Sequence, residues 1–139
     1  MQTINRLSLE DAALLLEGAR AKSIEIGVPM CIAVTDESGN LIAFERMDGG
    51  KVTSISIAQD KAFTAAAARK ATHEYNEACI PGNLVFGIHT SCGGRLNIVG
   101  GGYPVILDGG VVGGIGVSSG TPPQDMEVAQ AGRDHFLAA

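Results

Sequence analysis

Tryptophan is absent from this 139-residue chain, and aromatic residues make up only 4% of it. A core built from it rests on Ala, Val, Ile and Leu, with few large apolar anchors. Positive charge is also scarce. Ten Lys and Arg against fifteen Asp and Glu leave a net charge of −5 and a pI near 5.0, which argues against nucleic acid as the main partner, because binding phosphates needs a basic surface. No apolar run approaches the ~18 residues of a membrane helix. The opening MQTINRLSLEDAALLLEG lacks a basic stretch followed by an apolar segment and a small-residue cleavage site. Neither a membrane span nor a secretory leader is expected. The three cysteines, Cys31, Cys79 and Cys92, are odd in number and scattered. They fit a reducing cytoplasm better than a disulfide framework. There is no charge run, low-complexity tail or solenoid repeat, and the length predicts one domain over residues 1–139.

What the chain has in quantity is glycine, 19 residues in all. Many fall between Cys92 and Asp125, in clusters at Gly93-Gly94, Gly100-Gly101-Gly102 and along 109–120, with short β-branched runs between them. That pattern predicts strands joined by tight turns. Asp108-Gly109 is a two-residue hairpin signal, joining a strand over 103–107 to one over 111–118. In the second strand Val111, Ile115 and Val117 alternate with Val112, Gly114, Gly116 and Ser118. One face carries bulk, and the other lets a neighbour approach the backbone. Thr121-Pro122-Pro123-Gln124 reads as a helix start, with Thr121 and Gln124 as a capping box and Pro122 at the first helical position. A turn rich in Gly and Ser therefore runs into a helix N-terminus, where free N–H groups and the dipole favour an anion.

Upstream, Ser8 and Asp11 open a helix whose apolar stripe is Leu9, Ala12, Ala13, Leu16, Ala19 and Ala21, and Gly27 and Pro29 close it. Met30 to Thr35 and Leu41 to Glu45 predict two strands around the turn 36–40. An Ala-rich helix is predicted over 54–75, with Ala58, Ala62, Ala65 and Ala66 as a small-residue stripe facing Gly114 and Gly116 or the same stripe of a second chain. Leu84 to Thr90 and Arg95 to Val99 are further strand candidates, and a last helix covers 122–137. The order α-β-β-α-β-β-β-β-α carries no repeated βαβ crossover, which favours an antiparallel sheet covered by helices.

Few residues carry chemistry. His73 and Glu74 fall at the predicted end of the Ala-rich helix. There a histidine either interacts with the dipole or serves as a ligand or acid–base group. Arg46 and Asp48 flank the exit of the second strand, as an ion pair fixing the turn or with Arg46 as a fork for a ligand carboxylate. Lys61 could serve similarly. Gln124 and Asp125 lie in the first turn of the last helix, where an acid is stabilising in any case. G-x-G-x-x-x-G at 114–120 lacks the helix, second strand and acidic residue of a dinucleotide fold. Glu77 stands where H-E-x-x-H needs its second histidine. Cys79, His89 and Cys92 contain no paired C-x-x-C, so no metal site is expected.

Several segments carry a family resemblance when taken together and in order. They are Asp36-x-x-Gly39, Arg46-Met47-Asp48, Ser56-Ile57-Ala58-x-x-Lys61-Ala62, Pro81-Gly82, Gly100-Gly101-Gly102-x-Pro104-Val105 and Ile115-Gly116-Val117-Ser118-x-Gly120-x-x-x-Gln124-Asp125. The chain resembles the GlcG/HbpS family of haem-degrading or haem-binding-like proteins, over nearly its whole length. Its middle looks most like the branch found beside small-molecule catabolic operons. The resemblance implies an α/β (α+β), profilin-like fold with an antiparallel sheet of about five strands and helices on its faces, and homo-oligomers, dimers or larger. Haem is the cofactor it names. The function expected is binding of a small ligand, haem or a small carboxylated metabolite, by Arg46, Asp48, Lys61, Gly100, Gly101, Gly102, Ser119, Gly120 and Thr121. The alternatives are a cofactor-independent hydrolase, deaminase or tautomerase working through His73 and Glu74, and a non-catalytic accessory subunit.

Overall fold

A computed structural model describes residues 1–139. Helix α1 (Leu9–Ile26) is followed by strands β1 (Cys31–Asp36) and β2 (Leu41–Arg46), helices α2 (Ser54–Ala68) and α3 (Thr72–Ala78), strands β3 (Gly102–Leu107) and β4 (Gly110–Ser118), and helix α4 (Pro122–Ala138). The strands form one antiparallel sheet in the order β2-β1-β4-β3. The local signals operate as their chemistry dictates. Ser8 and Asp11 exchange the two bonds of a capping box, and Gly27 closes α1 in the left-handed conformation. Asp108 and Gly109 both have positive φ and join Leu107 to its partner Gly110.

The sheet separates two layers. Ile32 and Val34 of β1 and Ile115 and Val117 of β4 face the main core with Leu15, Leu16 and Ala19 of α1 and Val128 and Ala129 of α4. The other face carries Cys31 and Ala33 against Ala58 and Ala62 of α2. This is the predicted close approach. A Cβ on Gly114 would lie 2.5 Å from the Ala62 carbonyl oxygen and 3.0 Å from the Ala66 Cβ, and one on Gly116 would overlap the Ala58 carbonyl and the Ala62 nitrogen. In α1 the buried stripe is Ala12, Leu15, Leu16, Gly18 and Ala19, whereas Leu9, Ala13 and Ala21 face outwards. The predicted stripe is thus rotated, because α4 packs on α1 through Gly18 and Gly132 and draws that face inward.

Two elements depart from the sequence-based expectation. The Ala-rich helix stops at Ala68, because Arg69 turns into the left-handed conformation and Lys70 and Arg69 bond back to Ala65 and Ala66. A separate helix restarts at Thr72, whose buried hydroxyl accepts the Gly102 N–H at 2.9 Å. The segments 84–90 and 95–99 are not strands, so the sheet has four strands rather than about five. Positive φ at Gly82, Gly87, Cys92, Gly93 and Gly94 breaks any extended run. Successive short turns, such as Phe86 N–H to Asn83 and Thr90 N–H to Gly87, satisfy the backbone instead. Leu84, Val85 and Phe86 are exposed, so their apolar character reports no core-facing strand.

The fit of α2 on β4 makes a direct prediction. Gly116→Ala is expected to destabilise the fold by about 3 kcal/mol or more, because the displaced atoms are backbone rather than flexible side chain. A fall in the urea midpoint with an unchanged slope would register this.

Candidate functional site

The end of the sheet where β4 finishes gathers most of the residues singled out in the sequence. Thr121 caps α4, and its N–H donates to Gln124 Oε1 at 2.9 Å. The Gly120 N–H donates to Asp125 Oδ1 at 2.9 Å. Asp125 Oδ2 accepts from Lys61 Nζ at 3.0 Å, and Lys61 also donates to the Val117 carbonyl at 3.0 Å. Lys61 is 1% exposed and Asp125 2%. Burial pushes the ammonium pKa down and the carboxyl pKa up, and attraction between the two opposes both shifts. The Ser119 hydroxyl accepts the Lys51 N–H at 3.1 Å, from a residue whose φ of 117° is rare outside glycine.

This changes the expected anion seat. The N–H groups of Gly120, Thr121 and Gly102 are taken by Asp125, Gln124 and Thr72, so the protein's own carboxylate stands where an external anion was expected. Lys61 is committed to that carboxylate. Gly101 and Gly102 pack into the interior. A Cβ on Gly101 would meet Lys61 Nζ and Asp125 Cβ, each at 2.9 Å, and one on Gly102 would meet the Lys61 carbonyl at 2.5 Å. Arg46 and Asp48 are exposed at the end of β2, on the far edge of the sheet, where they line an open hollow with Arg20, Glu45 and Met47 and form no ion pair with each other.

An open pocket of about 310 Å³ lies beside the buried pair, between α3, the 99–100 loop and the first turns of α4. His73, Asn76 and Glu77 form one wall, Pro122, Pro123 and Met126 another, and Val99 and Gly100 complete it. His73 sits in the first turn of α3, not at the end of the Ala-rich helix, so the expected interaction with a helix C-terminus does not arise. Its Nδ1 is buried without a hydrogen-bond partner, as is the hydroxyl of Tyr103, whose ring centroid lies 5.7 Å from that of His73. Arg133 covers the Tyr103 ring at 4.7 Å. Glu74 is exposed and its carboxylate accepts the Ala71 N–H at 2.9 Å, a capping role. A Cβ on Gly100 would stand 2.8 Å from Met126 Sδ and 3.4 Å from His73 Cβ, so this glycine keeps the wall between them open.

The family model described as haem degrading protein HbpS-like matches residues 7–134. The chain belongs to the HbpS-like family. This HbpS-like chain is 41% identical over 135 residues, 97% of its length, to an uncharacterized 15.0 kDa protein of Citrobacter freundii encoded in the dhaT-dhaS intergenic region, of which it covers 95%. Its fold superposes on the crystal structure of Klebsiella pneumoniae protein ORFY with a TM-score of 0.98 and 35% identity, covering 100% of this chain and 96% of that one. It superposes on the PduOC:heme complex with a TM-score of 0.90 and 32% identity, covering 94% of each chain. The antiparallel α+β architecture is thus that of the family. No helix of the HbpS-like chain is long and apolar enough to cross a membrane.

Asp125, Tyr103 and Met126 were not singled out as site residues in the sequence. Asp125 carried a weak signal, an acid in a first helical turn, which is explained equally well by the dipole. Tyr103 and Met126 carried none. Removing one member of the buried pair leaves an uncompensated charge, so Asp125→Ala is expected to cost about 3–5 kcal/mol. Lys61→Met combined with Asp125→Leu is expected to recover much of that loss. Chemical denaturation of Lys61→Met, Asp125→Leu and the double variant measures the coupling, and a double loss equal to the sum of the two single losses would show that the pair is not coupled.

Proposed function

We propose that this protein is a small-ligand-binding protein of the HbpS-like family and that its ligand seats in the pocket bounded by His73, Gly100 and Met126. The observation that carries this reading is the His73 side chain. It is the only one of the three histidines that lines a pocket, and its buried Nδ1 has no partner within the chain. A buried imidazole nitrogen left unpaired costs about 1–3 kcal/mol, a local cost that the fold carries at the wall of this pocket.

Haem fits the donor set. Imidazole and thioether are both axial-ligand types, and His73 and Met126 meet at the point where a Gly100 side chain would stand. Haem is also the ligand named for the PduOC complex. His73 and Met126 would hold the group, which supplies an iron able to accept their lone pairs, while Val99, Pro122 and Pro123 offer apolar surface to its edge. The pocket is too small to enclose a porphyrin whole. A carboxylated metabolite is the weaker ligand class for this end of the sheet, since the N–H groups of Gly120 and Thr121 are occupied. Acid–base catalysis by His73 and Glu74 is weaker still, because Glu74 is engaged in capping α3. A role beside a small-molecule catabolic pathway, in the cytoplasm, belongs to the same proposal.

Haemin titration followed at the Soret band is expected to saturate for the native chain. His73→Ala is expected to weaken binding about tenfold or more. Gly100→Ala is expected to weaken it as well, with little change in thermal midpoint, because the crowded atom belongs to the flexible Met126 side chain. Identical curves for all three proteins would remove the pocket from the reading.

We also propose a homo-oligomer, a dimer or larger, formed through the exposed apolar residues Ile80, Leu84, Val85 and Phe86. Phe86→Asp is then expected to shift the sedimentation coefficient to a smaller species at equal concentration. An unchanged value would place the interface elsewhere.

A further inference from the structure

The opposite end of the sheet holds a second hollow, of about 570 Å³, between the N-terminal arm, the 36–40 turn, the β3–β4 hairpin and the end of α2. Its polar wall consists of Gln2, Thr3, Asn5, Glu37, Ser38 and Arg69. The charges there are unevenly answered. Glu37 receives two bonds from Arg6, at 2.8 and 2.6 Å, and Arg6 also stands 3.7 Å from Asp36, which accepts the backbone N–H groups of Ser38 and Asn40. The Arg69 guanidinium has no ion pair and no hydrogen bond within the chain, and Asp108 at the hairpin tip does not reach it. The side chains of Gln2, Thr3 and Asn5 likewise make no hydrogen bond within the chain.

Arg69 also stands against local backbone preference. It occupies the left-handed position that ends α2, with φ 58° and ψ 42°, whereas α1 places Gly27 at the equivalent position, with φ 73° and ψ 27°. Glycine is the residue that this position favours, because an L side chain crowds its own backbone there. Arg69 is exposed, so its guanidinium is open to a ligand from solvent, and its left-handed backbone is the kind of local inconsistency that marks a functional position.

We infer that this hollow is a binding site for a small oxyanion, a carboxylate or a phosphate, with Arg69 as the guanidinium fork and the Thr3 hydroxyl and Asn5 amide as additional donors, while the Ser38 hydroxyl donates to Glu37 at 3.3 Å. A planar guanidinium pairs with two oxygens of either group at once. The site is separate from the His73 pocket and does not depend on it.

Amide NMR titration with inorganic phosphate and, separately, with succinate, at ionic strength held constant with sodium chloride, tests this. Saturable shifts are expected at Thr3, Ser38, Arg69 and Val111 with at least one of the two anions, while His73 and Gly100 stay unmoved. The anion that saturates identifies the class. Arg69→Gly is expected to abolish the response and also to raise the thermal midpoint measured without anion, since glycine relaxes the backbone. Arg69→Lys keeps the charge but loses the fork, and is expected to respond more weakly. No saturable shift with either anion, or an equal response in Arg69→Gly, would overturn the inference.

Discussion

Helix α2 lies on the sheet at a separation that only glycine allows. At Gly114 and Gly116 the backbone of β4 is packed against the Ala58 and Ala62 carbonyls, and small residues on both sides make the contact possible. Glycine in a strand interior costs about 0.5–1 kcal/mol in backbone entropy. Here that cost is offset by contact along α2, and a chain with few aromatics gains a dense second layer without large side chains. The rest of the architecture follows, because the other face of the same strand carries the bulk, Ile115 and Val117, that α1 and α4 cover.

The same closeness explains the buried ion pair. Lys61 is on the sheet-facing side of α2, so its ammonium cannot reach water and instead meets Asp125 of α4 and the Val117 carbonyl of β4. Gly101 passes directly over it with no Cβ. Four segments are thereby fixed at one point. A buried pair of this kind adds little net stability compared with apolar packing, but it is costly to break. The start of α4 and the glycine loop are therefore held in place beside the pocket that His73 and Met126 line.

Sequence reading located this region from glycine chemistry and the α4 cap, yet misjudged what the backbone there does. Free N–H groups next to Gly120 and Thr121 were the expected anion seat, and the chain fills it with Asp125 and Gln124. A first-turn acid carries the same local signal whether it reaches outwards or folds back. Likewise Arg46 and Lys61 look alike as spare cations in the sequence, while the structure leaves one exposed at the β2 edge and buries the other. The 84–99 segment misled for a related reason. Its apolar residues have strand-like composition, but five residues with positive φ between 82 and 94 rule out a regular extended ladder.

Interactions within four residues of each other were settled by the chain alone. The capping boxes of α1 and α4, the Asp108-Gly109 turn and the alternation of β4 all belong to this class, because their partners are fixed by covalent proximity. Pairings across long separations were decided only by the tertiary structure. Lys61 and Asp125 are 64 positions apart, and Thr72 and Gly102 are 30 apart. No local pattern encodes which distant groups meet, since that depends on how the layers pack. It is this packing that buries one cation and leaves His73 Nδ1 without a partner.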